Sequence, residues 1–416
     1  MRQLTLALVG LILMSGSAKA TGDSWLGAFG HAPTAYNLSP PSIVLGPDGN
    51  TRTVAPGFSP LPPYPADTTV RQAIRVSVAA RSVRVRFSNE FSKSALRIGE
   101  AHIALTSEGG DIVPGSDHVL TFAGRRDAVI PGGAPLLSDP VDWTIGALTR
   151  LTVTVHYPAE TVPPAHTLYA LKAWSAPGNQ AAAHSMRDAV AARSGSHFSA
   201  LYVVPQTARR TIVCLGDSIT EGVGSEPGAF RGWTERLVER LQANASTRRW
   251  SVVNAGIGSN RLLHDTPSTS ALSRFDRDVL AVPGLSKVII ALGINDIQYS
   301  RRNPAEAVSA DEIIAAMGQL IARAHARGVE VIGATITPFE GSGSYSPEGE
   351  AMRTGVNDWI RNSGAFDGVI DFDRALRDPL RPAQLLAAAD SGGGLHPNDA
   401  GYAMMSDAID LTLFRD

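Results

Sequence analysis

The chain has 416 residues, of which 44% are hydrophobic and 18% charged; this is an ordinary globular composition, long enough for two domains of the usual ~100 to 200 residues. A formal net charge of -2 gives no electrostatic reason to expect nucleic acid or an anionic membrane as partner, so a neutral or weakly charged substrate is favoured. The single cysteine, Cys214, excludes an intramolecular disulfide and, inside an apolar run, reads as a small buried hydrophobe.

Arg2, the apolar run from Leu4 to Met14 and the small-residue stretch ending Ala18-Lys19-Ala20 have the layout of a secretory signal. Residues 1–20 are therefore read as a signal peptide cleaved near Ala20, and the protein as secreted or periplasmic in a bacterium. The apolar run is well short of the ~20 residues that span a bilayer, and no later segment is longer, so no stable membrane insertion is expected. From Trp25 to about Pro65 the chain is rich in Pro, Gly, Ser and aromatics and reads as irregular surface wrapping. From Val70 the pattern alternates with period two: Ile74, Val76 and Val78, then Val83, Val85 and Phe87, with Arg84 and Arg86 facing the other way as a solvated side. Further short strands are expected in Leu96 to Thr106, Val119 to Phe122 and Leu151 to Tyr157, separated by glycine-rich turns. Strands at this spacing without helical patterns between them predict a jelly-roll-like β-sandwich. Ala173 to Asn179 reads as a loop, either sugar-stacking through Trp174 or packed on the core. The junction is placed near Thr207, which gives a β-domain over residues 21–206 and a second domain over 207–416.

After the junction, apolar strand-like runs at Thr211 to Leu215, Trp250 to Asn254, Lys287 to Leu292 and Val329 to Ile336 alternate with helical periodicity. Such runs fit parallel strands covered on both faces. Phe230 to Ala243 carries Trp233, Leu237, Val238 and Leu241 on one helical face. Ser309 to Arg327 is the clearest helix, with Ser309 and Glu312 as a capping box and Gly328 as its stop. The alternation predicts a doubly wound α/β/α domain, whose ligands bind at the carboxyl ends of the strands.

Four polar stretches fall at those ends. Gly216-Asp217-Ser218 follows the first run and offers Ser218 as a nucleophile, a role a serine fills only beside a base. A phosphate loop is a poor reading, because five residues separate Gly216 from Gly222 and no lysine follows. The nucleophile elbow G-x-S-x-G fails at Thr220. The second stretch, Asn254-Ala255-Gly256-Ile257-Gly258-Ser259-Asn260, is a turn able to present main-chain N–H groups. The third, Gly293-Ile294-Asn295-Asp296, brings a side-chain amide, and the fourth, Gly392 to Asn398, brings His396 ahead of the C-terminal helix. Together they supply a nucleophile, a base and oxyanion donors, the parts that acyl transfer needs. No H-E-x-x-H or comparable ligand spacing is present, so no metal is expected.

These stretches resemble the four blocks of the SGNH hydrolase superfamily, also called GDSL esterases and lipases, over residues 207 to the C-terminus. The upstream sandwich adds a resemblance to the secreted subgroup of arylesterase and xylan-linked esterases. The resemblance implies a flavodoxin-like α/β/α fold, Ser-His hydrolysis of esters and no cofactor. Ser218 would be the nucleophile, His396 the base, and the N–H groups of Ser218 and Ser259 with the Asn295 amide the oxyanion hole. Two positions depart from the family. Ser259 stands where glycine is usual, and Gly393 stands where the triad acid, three residues before the histidine, is usual; Asp390 is the nearest substitute. The reading is a secreted serine esterase for short acyl groups, with acetylated carbohydrate as the leading substrate class. The rival is a weakened, polysaccharide-binding protein that has lost its acid.

Overall fold

The computed structural model describes residues 24–35, 42–45, 51–54, 61–166, 169–192 and 194–415. The expected signal peptide, with cleavage near Ala20, falls outside the described residues. Among these residues no helix is long and apolar enough to cross a membrane.

The N-terminal part is a pair of antiparallel sheets. Its main strands are β1 (Leu26–Gly30), β2 (Thr68–Arg75), β3 (Ala80–Ser88), β4 (Glu100–Leu105), β5 (Arg150–Tyr157), β6 (Ala173–Pro177) and β7 (Phe198–Pro205). A five-stranded sheet contains β1, β7 and β3 side by side, and a six-stranded sheet contains β6, β2, β5 and β4 in that order. Val70 and Ile74 stand opposite Val155 and Leu151 across β2 and β5. These residues share one core with Val83, Val85, Phe87 and Leu201 of the other sheet, so the alternating apolar positions are the inner faces of a sandwich. Three readings of this region need correction. Leu26–Gly30, taken as irregular, is a strand paired with β7. Ala173 to Pro177, taken as a loop, is a strand, with Trp174 opposite Arg71 and its ring against Gly110. Arg84 and Arg86 are half-buried instead of solvated: Arg84 lies 4.0 Å over the Trp25 ring and Arg86 donates to Ser199 and Glu90.

The C-terminal part is a parallel sheet of β8 (Arg210–Gly216), β9 (Trp250–Gly256), β10 (Leu285–Ala291), β11 (Glu330–Ala334) and β12 (Gly368–Ile370), in the order β9-β8-β10-β11-β12. This 2-1-3-4-5 order is the flavodoxin-like one, whose crossover point lies between the first and third strands. The helices include α1 (Ser218–Glu221), α2 (Trp233–Ala243), α3 (Ala271–Phe275), α4 (Ile294–Arg302), α5 (Ala310–His325), α6 (Pro347–Asn362) and α7 (Asp399–Asp407); a short one at Phe372–Leu376 follows β12. Alternate residues of β8 feed opposite faces. Val213 and Leu215 pack with Ile313, Met317 and Leu320 of α5, while Ile212 and Cys214 pack with Leu237 and Leu241 of α2. Each such large side chain contributes about 1.5–3 kcal/mol when fully buried. The Ser309–Glu312 capping box forms as expected. Cys214 is fully buried, and burial raises its thiol pKa well above the ordinary value.

The two parts meet along β1. Gly27 and Gly30 face β9 so closely that a side chain at either would overlap Val253, at 2.9 and 2.5 Å. The Gly27 N–H donates to Pro283 O, and Ser77 and Ser251 share a buried hydroxyl contact of 2.8 Å. Arg75 of β2 adds an ion pair to Glu239 of α2.

Candidate active site

β8 ends at Gly216, and Asp217 reverses the chain by accepting the Ile219 N–H at 2.9 Å, which starts α1 at Ser218. The chain after β12 returns to the same edge and presents His396. There the Ser391 N–H donates to the His396 carbonyl, while Asn398 caps α7 and donates to the Asp390 carbonyl. The result is a Ser218 Oγ to His396 Nε2 distance of 2.9 Å across 178 residues of sequence. Burial lowers the pKa of His396, with the charge of Asp390 opposing in part, so the imidazole is neutral and can accept the hydroxyl proton. Asp217 is itself buried, and burial pushes its carboxyl up to about 7.

Ser259 lies in a turn closed by the Asn260 N–H on Ile257 O at 3.1 Å, and its φ is 60°. That is the left-handed region where glycine is preferred, which explains physically why serine is the unusual residue here. Asn295 sits buried in the first turn of α4, directly after β10, and its Nδ2 donates to Asn260 O at 3.1 Å. One amide hydrogen therefore fixes the side chain and the other remains available. The next residue, Asp296, accepts the N–H groups of Leu262 and Leu263 and ties the same loop to α4. Among the described residues, neither the Ser218 nor the Ser259 N–H is committed to an acceptor.

Asp390 is in the same loop as His396 but is not bonded to it. Its carboxylate accepts the N–H groups of Gly392, Gly393 and Gly394 at 3.0 to 3.2 Å. Its influence on the imidazole is through space. Among the described residues no group of His, Cys, Asp and Glu side chains is arranged to hold a metal ion.

Several residues near the site carry no sequence motif. Glu221 ends α1 with its carboxylate buried, 3.3 Å from His166 Nε2 of the β-domain, and His166 is stacked on His31 at 4.1 Å. The His166 Nδ1–H donates to Ala32 O. Arg274 of α3 is wholly buried beneath the Ser259 turn. In sequence it stands beside Asp276, Arg277 and Asp278 and carries no signal of its own.

A 2-1-3-4-5 parallel sheet with a serine and an amide following two of its strands, and a histidine bonded to that serine, defines an SGNH α/β/α hydrolase domain. Residues 214–404 match the GDSL-like lipase/acylhydrolase family, and this part of the chain is a domain of that family. Among solved structures, the chain is similar to Axe2, an acetylxylan esterase from Geobacillus stearothermophilus, at 25% identity, over 48% of this chain and 92% of that one, with a TM-score of 0.38. It is likewise similar to an alpha/beta hydrolase enzyme from the metagenome of Lake Arreo, Spain, at 25% identity, over 49% of this chain and 94% of that one, with a TM-score of 0.38. No curated protein matches the chain.

Proposed function

We propose that the protein is a secreted serine esterase, and the observation that carries this reading is the 2.9 Å contact between Ser218 Oγ and a neutral, half-buried His396. Ser218 attacks the ester carbonyl while His396 Nε2 takes its proton, forming a tetrahedral intermediate. The N–H groups of Ser218 and Ser259 and the free Asn295 amide hydrogen receive the oxyanion. His396 then protonates the leaving alcohol, the acyl-enzyme forms, and water attacks it through the same imidazole in reverse. Asp390 favours the imidazolium by charge alone, since its oxygens serve the glycine amides. Acetylated carbohydrate is the substrate class to test first, on the resemblance of a β-sandwich joined to this domain to xylan-linked esterases.

Ser218→Ala is expected to abolish hydrolysis of nitrophenyl acetate and acetylated xylan with an unchanged circular dichroism spectrum and Tm. A phosphonate ester should label the wild-type protein once and the variant not at all. Hydrolysis near the wild-type rate in Ser218→Ala would sink the assignment.

A further inference from the structure

The three proposed oxyanion donors arrive from three different strands, so something must hold β8, the Ser259 turn and Asn295 in one register. Convergence matters at the level of tenths of an ångström: displacement of a positioned group by about 1 Å can cost about 100-fold in rate. Backbone hydrogen bonding between the end of β8 and this loop stops at the Ile257 N–H on Gly216 O, at 3.2 Å, short of Ser259. Ser259 also occupies a backbone conformation that a serine adopts reluctantly. Left alone, that turn has reason to relax.

Arg274 spans this gap. Its Nε and one terminal nitrogen donate to Asn260 Oδ1 at 3.1 and 2.8 Å, and the same terminal nitrogen donates to Gly216 O at 3.0 Å. The carbonyl of Asn260 is in turn the acceptor that fixes the Asn295 amide. One guanidinium thus touches the strand end two residues before the nucleophile and the residue that orients the oxyanion amide. Its other terminal nitrogen donates to Asp278 at 3.2 Å. Asp278 is also bound by Arg277, at 2.6 and 2.7 Å, and so does not depend on Arg274 for a partner. Burying a guanidinium is costly, and a hydrophobic side chain would fill the space under a purely structural turn. The planar fork does what an apolar residue or a lysine cannot: it bonds two acceptors, one at the end of β8 and one in the turn after β9, at fixed geometry.

We infer that Arg274 is a positioning residue for the oxyanion hole, acting through Asn260 on the Ser259 turn and Asn295. This rests on the esterase reading above. Arg274→Lys keeps a positive charge beside Asp278 but loses the fork, and it is expected to lower kcat about 100-fold with KM little changed.

The decisive measurement is a double-mutant cycle with Asn295→Ala, using nitrophenyl acetate, with Tm recorded for every variant. If Arg274 works through the oxyanion hole, its loss should shrink to a few-fold in the Asn295→Ala background. Losses that multiply in full, or a wild-type kcat in Arg274→Lys, would overturn the inference. An unchanged kcat in Asn295→Ala alone would overturn the underlying oxyanion assignment instead. Should Arg274→Lys not fold, Asn260→Ala removes the acceptor at the other end and must show the same non-additivity. Failure of both variants to fold would make the network a folding element and dismiss the positioning role.

Discussion

Replacing Gly393 by aspartate is expected to accelerate the enzyme. The position tolerates a side chain: Gly393 is exposed, is not among the residues of positive φ, and a Cβ built there meets no heavy atom within 4 Å. Its N–H donates to Asp390 Oδ1, and the substitution leaves that donor in place. During attack on the ester an imidazolium forms on His396, and no described carboxylate is hydrogen-bonded to it. Two unit charges about 4 Å apart interact by about 4 kcal/mol at an effective dielectric near 20. That is a factor of about 1000 in rate, which solvent screening at an exposed loop should reduce to about 10- to 100-fold. The assay is kcat and kcat/KM for a nitrophenyl ester as a function of pH. Burial holds His396 below its ordinary 6.5, so in the wild type the acid limb of kcat/KM should fall below that pH. A new carboxylate favours the charged imidazole and raises its pKa, so in Gly393→Asp the limb should move up. Asp390→Asn keeps an oxygen for the glycine amides, and it should change kcat by less than about tenfold. The reasoning is refuted if Gly393→Asp leaves both kcat and the acid limb unchanged while Asp390→Asn, still folded, loses most activity. Asp390 would then be the working acid.

Asn295→Ala should lower kcat by about 100- to 1000-fold with a smaller effect on KM, and steady-state kinetics showing an equal rise in KM would point to ground-state binding instead. Ser259→Gly should retain activity, because the donor is main-chain, and should stabilise the fold by up to about 1 kcal/mol by relieving the left-handed serine; a lower denaturation midpoint would contradict this. Burial raises Asp217 from 3.8 to about 7, so its effect on stability is absent at low pH, grows as pH rises through that window, and is constant above it. Asp217→Asn preserves the oxygen that accepts the Ile219 N–H. It should therefore raise Tm at about pH 8, by a stability increment of up to about 4 kcal/mol, and do little at about pH 4; equal shifts at both would refute the buried charge.

The parts of the site that could be read from sequence are those carried by side-chain type at the end of an apolar run. Ser218 and Asn295 are legible because a polar residue just after a parallel strand has few structural reasons to be there; His396, expected at a strand end, instead lies well beyond β12, past a helix at Phe372–Leu376, and is legible only from its glycine-rich stretch ahead of the C-terminal helix. The α/β order was readable for the same reason, apart from β12, whose three residues are too few to show a pattern. What remained hidden depends on who bonds to whom. That Asp390 would give its oxygens to three glycine amides cannot be seen in its position six residues before His396. Arg274 looks like an ordinary helix charge until its acceptors, Gly216 and Asn260, are known. β1 escaped because Gly27 and Gly30 interrupt the alternation that marks a strand. They are small for a reason of tertiary contact, which leaves no local trace.

The β1 contact also bears on how such a chain could have been assembled. Two glycines lie against Val253, and a seryl pair and an arginine bridge cross the same seam, so the surfaces of the two parts are fitted to each other and are not merely tethered. A gene fusion that appended a ready-made sandwich would have left a polar, water-filled boundary and a hinge. Here the boundary is sterically matched, and His166 of the sandwich, stacked on His31, reaches Glu221, one helical turn from the nucleophile. Substitutions on either side of the seam are therefore constrained by the other. The β-domain and the hydrolase domain should change as one unit through descent, and grafting the sandwich onto another hydrolase would require carrying the small residues of its first strand along with the edge of β9.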